Sequence, residues 1–411
     1  MGKVQFLTKI FIIICIFSAY GPVSASDTSW ENEQWGIAPF TDVLGGGPST
    51  GPAEQAIGSI YSLCASDDGY IYAAGGQFID VITPEKMRYH LAGNGEVGFN
   101  DGFASRAKFA MGIGSYSGGY NIVCGPSGDI FVADNGNKRV RRIFRDKNGA
   151  WQVGTWAGGG DTKLEYGESC PAKDLKMRRV SAIAVDKKGI TTIASSSGYY
   201  RVSADGSTAF LVARWPPSLS TRPGKPPKLN VMMGDADEMG NVYFVSRTPD
   251  FVVKIDAEGK AVHVAGVSYY KKRKPYHLGD GHPKDVFFDS PSSLVAEQDG
   301  SAVYVCGGDE YDIRRVPVNG GTYTATLIQN GRWYRASVHP NRSRGPAVFT
   351  PEKLGKLKPD GKLRLLMISH MAGRNKDGEI YGLLKDWVGM TQIISGQGML
   401  GTKIFRLSRR L

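Results

Sequence analysis

The stretch that decides the fold is Gly128-Asp129-Ile130-Phe131-Val132-Ala133-Asp134-Asn135-Gly136-Asn137-Lys138-Arg139-Val140-Arg141-Arg142-Ile143. An apolar run, Ile130 to Ala133, meets a polar turn, and a second run alternates Val140 and Ile143 with arginines. Two β-rich segments around an Asn-Gly turn form the strongest short-range hairpin signal a sequence offers. Weaker copies recur along the chain. A glycine between two strand-like runs stands at Gly69, Gly128, Gly189, Gly240, Gly300 and Gly361, with spacings of 59, 61, 51, 60 and 61 residues. So regular a period is the mark of a repeat architecture with six units.

Each unit offers four candidate strands. In the second they are Tyr120 to Cys124, Ile130 to Ala133, Arg139 to Phe144 and Trp151 to Trp156. In the fourth they are Leu229 to Gly234, Val242 to Ser246, Phe251 to Ile255 and Ala261 to Ala265. Four strands and a long return loop are the layout of a propeller blade, and ring closure removes exposed sheet edges. The expected fold is therefore an all-β, six-bladed β-propeller with four-stranded antiparallel blades over residues 40–400. An N-terminal strand, Thr41 to Leu44, is expected to close the ring. Its ending in glycines returns at Leu91-Ala92-Gly93, Trp156-Ala157-Gly158 and Val264-Ala265-Gly266.

Around this core the chain carries three shorter segments. Met1 to Ala25 reads as a signal peptide: Lys3 and Lys9 precede an apolar core, Ile10 to Phe17, and Val23-Ser24-Ala25 supplies a small-residue cleavage site. The apolar run is shorter than the ~20 residues a membrane span needs. Residues 26–39 read as a lead-in and 401–411 as a basic tail outside the ring. The expected location is secreted or periplasmic, and the mature chain is expected to have no transmembrane segment and to be a monomer.

The formal charge is +11, or +9 without Lys3 and Lys9. The excess sits in Lys271-Lys272-Arg273-Lys274, in Lys225 with Lys228, and in the tail. Such loops favour acidic surfaces. Nucleic acid is not expected as a partner, because no aromatic stacking motif accompanies these charges. Cys64, Cys124, Cys170 and Cys306 remain after cleavage and allow three disulfide connectivities, with buried free thiols as the other option.

The chain resembles the NHL-repeat family of six-bladed propellers. The resemblance rests on the Ala-Asp-x-Gly-Asn-x-Arg-[Ile/Val]-Arg unit within Val132 to Ile143. It also rests on return loops such as Leu91-Ala92-Gly93-Asn94-Gly95 running on to Asn100-Asp101-Gly102. It implies the fold; its members include both enzymes and binding platforms, so it leaves the activity open.

For chemistry the residues offer little that is specific. His90, His263, His277, His282, His339 and His370 contain no His-x-His or His-Glu-x-x-His pairing, and there is no nucleophile elbow, P-loop or dinucleotide fingerprint. Asp134 and Asn137 read first as turn-capping residues. Loops at one end of the strands converge on a propeller's channel mouth, which makes Asp134, Ser196, Arg247, Asp309 and Glu310 the candidate ligand-binding residues. The basic residues Arg142, Arg201, Lys254 and Arg315 recur on third strands and read as one solvent-facing charge per blade. The preferred reading is a non-catalytic binding or scaffold module for a protein, peptide or glycan, with no cofactor identified. The competing reading is a metal-dependent lyase or hydrolase, whose channel carboxylates would hold a divalent metal.

Overall fold

A computed structural model of the chain describes residues 34–39, 51–52, 60–112, 121–214, 230–247, 250–267, 282–286, 288, 291–307, 312–318, 325–328, 365–374, 380–387 and 399–410. It is an all-β propeller. The first strand, β1, is Gln34–Pro39.

Five blades follow one another along the chain. The first contains β2 (Gly51–Pro52), β3 (Ser62–Ala65), β4 (Ile71–Gly75), β5 (Phe78–Ile82) and β6 (Met87–Ala92). The second contains β7 (Gly102–Phe103), β8 (Ile122–Cys124), β9 (Ile130–Asp134), β10 (Arg139–Arg145) and β11 (Trp151–Gly158). The third contains β12 (Ser169–Pro171), β13 (Val180–Val185), β14 (Thr191–Ser195), β15 (Gly198–Val202) and β16 (Thr208–Ala213). The fourth contains β17 (Val231–Ala236), β18 (Val242–Arg247), β19 (Asp250–Ile255) and β20 (Ala261–Ala265). The fifth contains β21 (Pro291–Ala296), β22 (Ala302–Gly307), β23 (Asp312–Pro317) and β24 (Ala325–Ile328). Within each, the four main strands pair in sequence order, and an extra strand in blades one to three adds to the outer edge.

The last three strands, β25 (Leu365–Arg374), β26 (Ile380–Trp387) and β27 (Met399–Arg410), join β1 in a separate sheet of order β1-β27-β26-β25. This sheet is made of the two ends of the described chain. Its β25 lies between β21 of the fifth blade and β3 of the first.

The expectation of six equivalent four-stranded blades is thus corrected: five blades are made by consecutive chain, and three of them carry five strands. The added strands are two or three residues long, too short to leave a periodic trace in sequence. Two boundaries also shift. The strand that pairs with the chain's far end is Gln34–Pro39, within the expected lead-in, while Thr41 to Leu44 lies outside the described residues. The expected free tail is most of β27, paired with both β1 and β26.

The repeat glycines earn their places locally. Gly69, Gly128, Gly189, Gly240 and Gly300 all take positive φ, 67° to 85°, a region that glycine enters without steric cost. Gly361 lies outside the described residues. The Ala-Gly endings have a different cause. Ala92, Ala157 and Ala265 are fully buried at the ends of fourth strands. A Cβ on the next glycine would lie 2.2 Å from the Gln77 carbonyl oxygen at Gly93, 2.6 Å from that of Lys138 at Gly158, and 2.1 Å from that of Asp250 at Gly266. Each glycine lets its return loop leave the sheet directly against the neighbouring hairpin turn.

Between blades the apolar faces interleave. Val123, Phe131 and Trp156 of the second blade pack with Ile183, Ile193 and Leu211 of the third. Burial of this kind contributes about 25 cal/mol per Å² of apolar surface and is the main force holding the ring. Among the described residues, no helix is long and apolar enough to cross a membrane.

Candidate functional site

First strands stand innermost and touch their neighbours around the axis, β3 against β8, β8 against β13, β13 against β17 and β17 against β21. Their inner edges have no further strand to pair with, so backbone N–H groups there need other acceptors. Side chains of the preceding blade supply them. Ser62 Oγ accepts the Ile122 N–H at 3.2 Å, Asn121 Oδ1 accepts that of Ile183 at 2.7 Å, and Asp235 Oδ2 accepts that of Ala296 at 2.8 Å. The acceptor and donor are 60 to 62 residues apart in every case, one repeat period. A disulfide, Cys64–Cys124, adds a covalent link between β3 and β8, with a Cα–Cα distance of 5.6 Å. Cys170 and Cys306 are buried outside it.

Where these strands turn into the second strands, a cavity of about 290 Å³ opens at the end of the channel. All five blades line it, through the turns after β3, β8, β13, β17 and β21. Among the described residues five carboxylates reach it, Asp67, Asp68, Asp186, Asp235 and Glu238, against the single cation Lys187, which pairs with Glu238. The lining is acidic on a basic protein. Several of these acids also hold backbone. Asp186 Oδ1 accepts the Lys188 and Ile190 amides at 2.9 Å each, and Asp235 spans to the next blade. The Cys64–Cys124 link forms part of the wall.

Behind the rim lie buried acid–phenol contacts. The Tyr243 hydroxyl donates to Asp237 Oδ2 at 2.8 Å, and burial together with that bond raises its pKa. Tyr304 donates likewise to Glu297. Tyr72 is pushed up to about 12, by burial first and then by the Asp68 charge. Neither Tyr243 nor Tyr72 is a ready proton donor near neutral pH. Among the described residues no three His, Cys, Asp or Glu side chains stand together as a metal would need.

Of the residues singled out from sequence, Asp134, Ser196 and Arg247 occupy the opposite end of the strands, at or beside turns between second and third strands. Asp134 is fully buried. It accepts the Ala110 amide at 2.8 Å, the Asn137 side-chain amide at 2.8 Å and Arg141 Nη1 at 2.9 Å. Burial holds its carboxyl above the ordinary value, while Asn137, the Ala110 amide and Arg141 pull it down. Arg141 in turn donates to the carbonyls of Lys108 at 3.1 Å and Asn100 at 2.7 Å and lies 4.8 Å from the Phe99 ring centroid. The motif that signalled the hairpin therefore ties the preceding return loop to it. Ser196 is exposed in the turn between β14 and β15, and Arg247 is half-buried at the end of β18. Asp309 and Glu310 lie outside the described residues. Among the described residues, no hydrogen bond or ion pair joins Asp134, Ser196 and Arg247 to one another.

The recurring third-strand cations are clamps as well as charges. Arg142 pairs with Asp129 at 2.7 Å, and Arg201 donates at 2.6 Å to the carbonyl of Asp256 in the next blade. The mouth residues were missed because each reads as an ordinary turn residue. The one sequence signal available was the 60-residue separation of Cys64 and Cys124, which puts them at equivalent places in adjacent blades.

No family model matches this chain, and no curated protein matches it. Solved structures do. One described as an auxiliary nutrient binding protein from Bacteroides thetaiotaomicron VPI-5482 shares 11% identity, with a TM-score of 0.54 over 92% of this chain and 78% of that one. A second auxiliary nutrient binding protein, from Bacteroides ovatus ATCC 8483, shares 12%, with a TM-score of 0.51 over 92% and 77%. A putative phosphatase from Bacteroides thetaiotaomicron VPI-5482 shares 12%, with a TM-score of 0.52 over 92% and 79%. At such identities the likeness establishes the propeller fold alone.

Proposed function

We propose that this chain is an exported, NHL-type propeller that binds a protein, peptide or glycan at the five-blade mouth without transforming it. One observation carries the reading. Five blades converge on one open cavity, and two acids of its wall, Asp186 and Asp235, hold their own turn and the neighbouring blade. The Asp134–Asn137–Arg141 network supports the NHL assignment, because it gives the motif residues one shared task. Export is supported by the Met1 to Ala25 pattern and by the Cys64–Cys124 disulfide, a bond that persists in oxidising compartments. Two of the solved structures of this fold are described as nutrient binding proteins, so the fold is compatible with a binding role.

The test is calorimetric titration of the mature protein with a panel of defined oligosaccharides and peptides, beside an Asp67→Lys/Asp68→Lys variant of the exposed rim. Saturable binding that the variant loses, with ligand recovered intact by mass spectrometry, is the expected result. Recovery of cleaved or eliminated ligand would replace the reading with a catalytic one, and binding indifferent to the rim charges would move the site elsewhere.

A further inference from the structure

Two cysteines stand in the wall of the channel mouth, and they are joined. Cys64 on β3 and Cys124 on β8 both line the cavity of about 290 Å³, and their disulfide links the two innermost strands. The two ends of the bridge differ. Cys64 is 4% exposed and packs into the apolar cluster between the first two blades, while Cys124 is half-buried at the cavity wall. Cys170 and Cys306 are buried thiols outside that wall.

Thiol–disulfide exchange begins with a thiolate, so the field around the bridge decides which thiols reach it. Asp67 and Asp68 follow Cys64 by three and four positions and are exposed. Asp186, Asp235 and Glu238 add to them, and the one lysine of the lining, Lys187, pairs with Glu238. The field reaches the bridge. Tyr72 pairs with Cys64 across β3 and β4, and its hydroxyl is pushed up to about 12 by burial first and then by the Asp68 charge. A thiolate with a second negative charge meets repulsion here. An aminothiol arrives as a zwitterion whose ammonium the rim attracts. The cavity has room for a small molecule, not for a folded protein.

We infer that the Cys64–Cys124 bridge is a thiol-exchange site at the channel mouth, selective for small thiols that carry a cation. The aminothiol's thiolate attacks the sulfur of Cys124, the more exposed end. A new S–S bond forms there, the Cys64–Cys124 bond breaks, and its electron pair leaves on Cys64, which takes a proton from water. A second thiolate attacks the bound aminothiol's sulfur, and the small-molecule disulfide leaves. Two thiols thus give the protein two electrons and two protons. Exchange unfastens β3 from β8 at the cavity wall, while the Ser62–Ile122 hydrogen bond and the apolar packing remain. The inference does not depend on which ligand the mouth binds.

The test compares cysteamine with 3-mercaptopropionate on the native, unreduced protein, with iodoacetamide quenching and peptide mapping. Each rate, at equal thiolate concentration, is divided by that of the same thiol with bis(2-hydroxyethyl) disulfide, a neutral reference that removes intrinsic reactivity. Cysteamine should lead by about tenfold or more at low salt. Early samples should carry the mixed disulfide on Cys124 and the alkyl label on Cys64. The lead should shrink at high salt and in Asp67→Asn/Asp68→Asn. Reaction only after unfolding in urea, equal normalised rates for the two thiols, or an undiminished lead in the variant would each overturn the inference. So would a mixed disulfide trapped first on Cys64. If the variant fails to melt cooperatively, the salt series on wild type decides, and a lead indifferent to salt would overturn the charge selectivity.

Discussion

Asp134 and Arg141 face each other across the β9–β10 hairpin with 2.9 Å between carboxylate and guanidinium, and neither side chain is exposed to solvent. The pair is fastened to the preceding return loop: Asp134 holds the Ala110 amide, and Arg141 holds the carbonyls of Asn100 and Lys108 and pairs with Asp101 at 2.5 Å. Removing Arg141 strands the Asp134 charge in the interior, a change that costs about 3–5 kcal/mol, whereas removing Asp134 leaves Arg141 still paired with Asp101. Arg141→Met should therefore destabilise strongly in urea titration, and Asp134→Asn/Arg141→Met should cost less than the sum of the two single changes. Additive losses would show that the residues act separately.

His90 gives stability a pH dependence. Its Nδ1 lies 3.2 Å from Asp80 Oδ1 and its Nε2 lies 2.7 Å from the Gly93 carbonyl. The Asp80 bond raises its pKa above the ordinary 6.5. A raised cationic pKa contributes stability that is complete below 6.5 and fades as pH rises through the folded value. The melting temperature of wild type relative to His90→Gln should thus shrink from pH 5.5 toward pH 8.5. A difference that grows with pH would contradict the assignment.

The Cys64–Cys124 disulfide closes a loop of 60 residues between two innermost strands. The chain-entropy argument gives about 4 kcal/mol for such a closure. Cys64→Ala/Cys124→Ala should lower the urea midpoint accordingly. Mass spectrometry after alkylation of the unfolded, unreduced protein should find neither Cys64 nor Cys124 labelled.

Gly266→Ala should be more costly than Gly95→Ala. Both positions take positive φ, 96° and 84°, so both substitutions strain the backbone. Only at Gly266 does the new Cβ meet the Asp250 carbonyl, while nothing lies within 4 Å at Gly95. A loss of about 1–3 kcal/mol is expected for the first and clearly less for the second, read from chemical denaturation. Equal losses would show that backbone strain alone matters.

What could be read from sequence was what the chain states locally. The Asn-Gly hairpin at 134–137, the turn glycines from Gly69 to Gly300 and the four strands of the second and fourth units appear within a residue or two of their expected places. The correspondence ends where partners are distant. The short added strands pair by position on an edge and carry no pattern of their own. Met399–Arg410 shows no regular alternation and reads as a basic tail, and its role as a strand depends on β1, far away in sequence. The mouth was illegible for a related reason. Asp67, Asp186 and Asp235 look like turn formers one at a time, and only ring geometry places them around one opening. Asp134 reads first as a turn-capping residue, and its bond from Asn137 agrees with that, while its full burial depends on a return loop folded over it.

The pairing of β1 with β27 fixes the order in which the protein can finish folding. Gln34–Pro39 is synthesised about 360 residues ahead of Met399–Arg410, and at ~5–20 residues per second that interval is tens of seconds. Throughout it the early strand lacks its mate and the growing assembly is an arc, with β3 of the first blade uncovered on the side that β25 will fill. A chain translocated as it is made would meet its destination in that unfinished form. Its most vulnerable moment is then the wait for the closing strand, and a holding chaperone that shields the β3 side would act there.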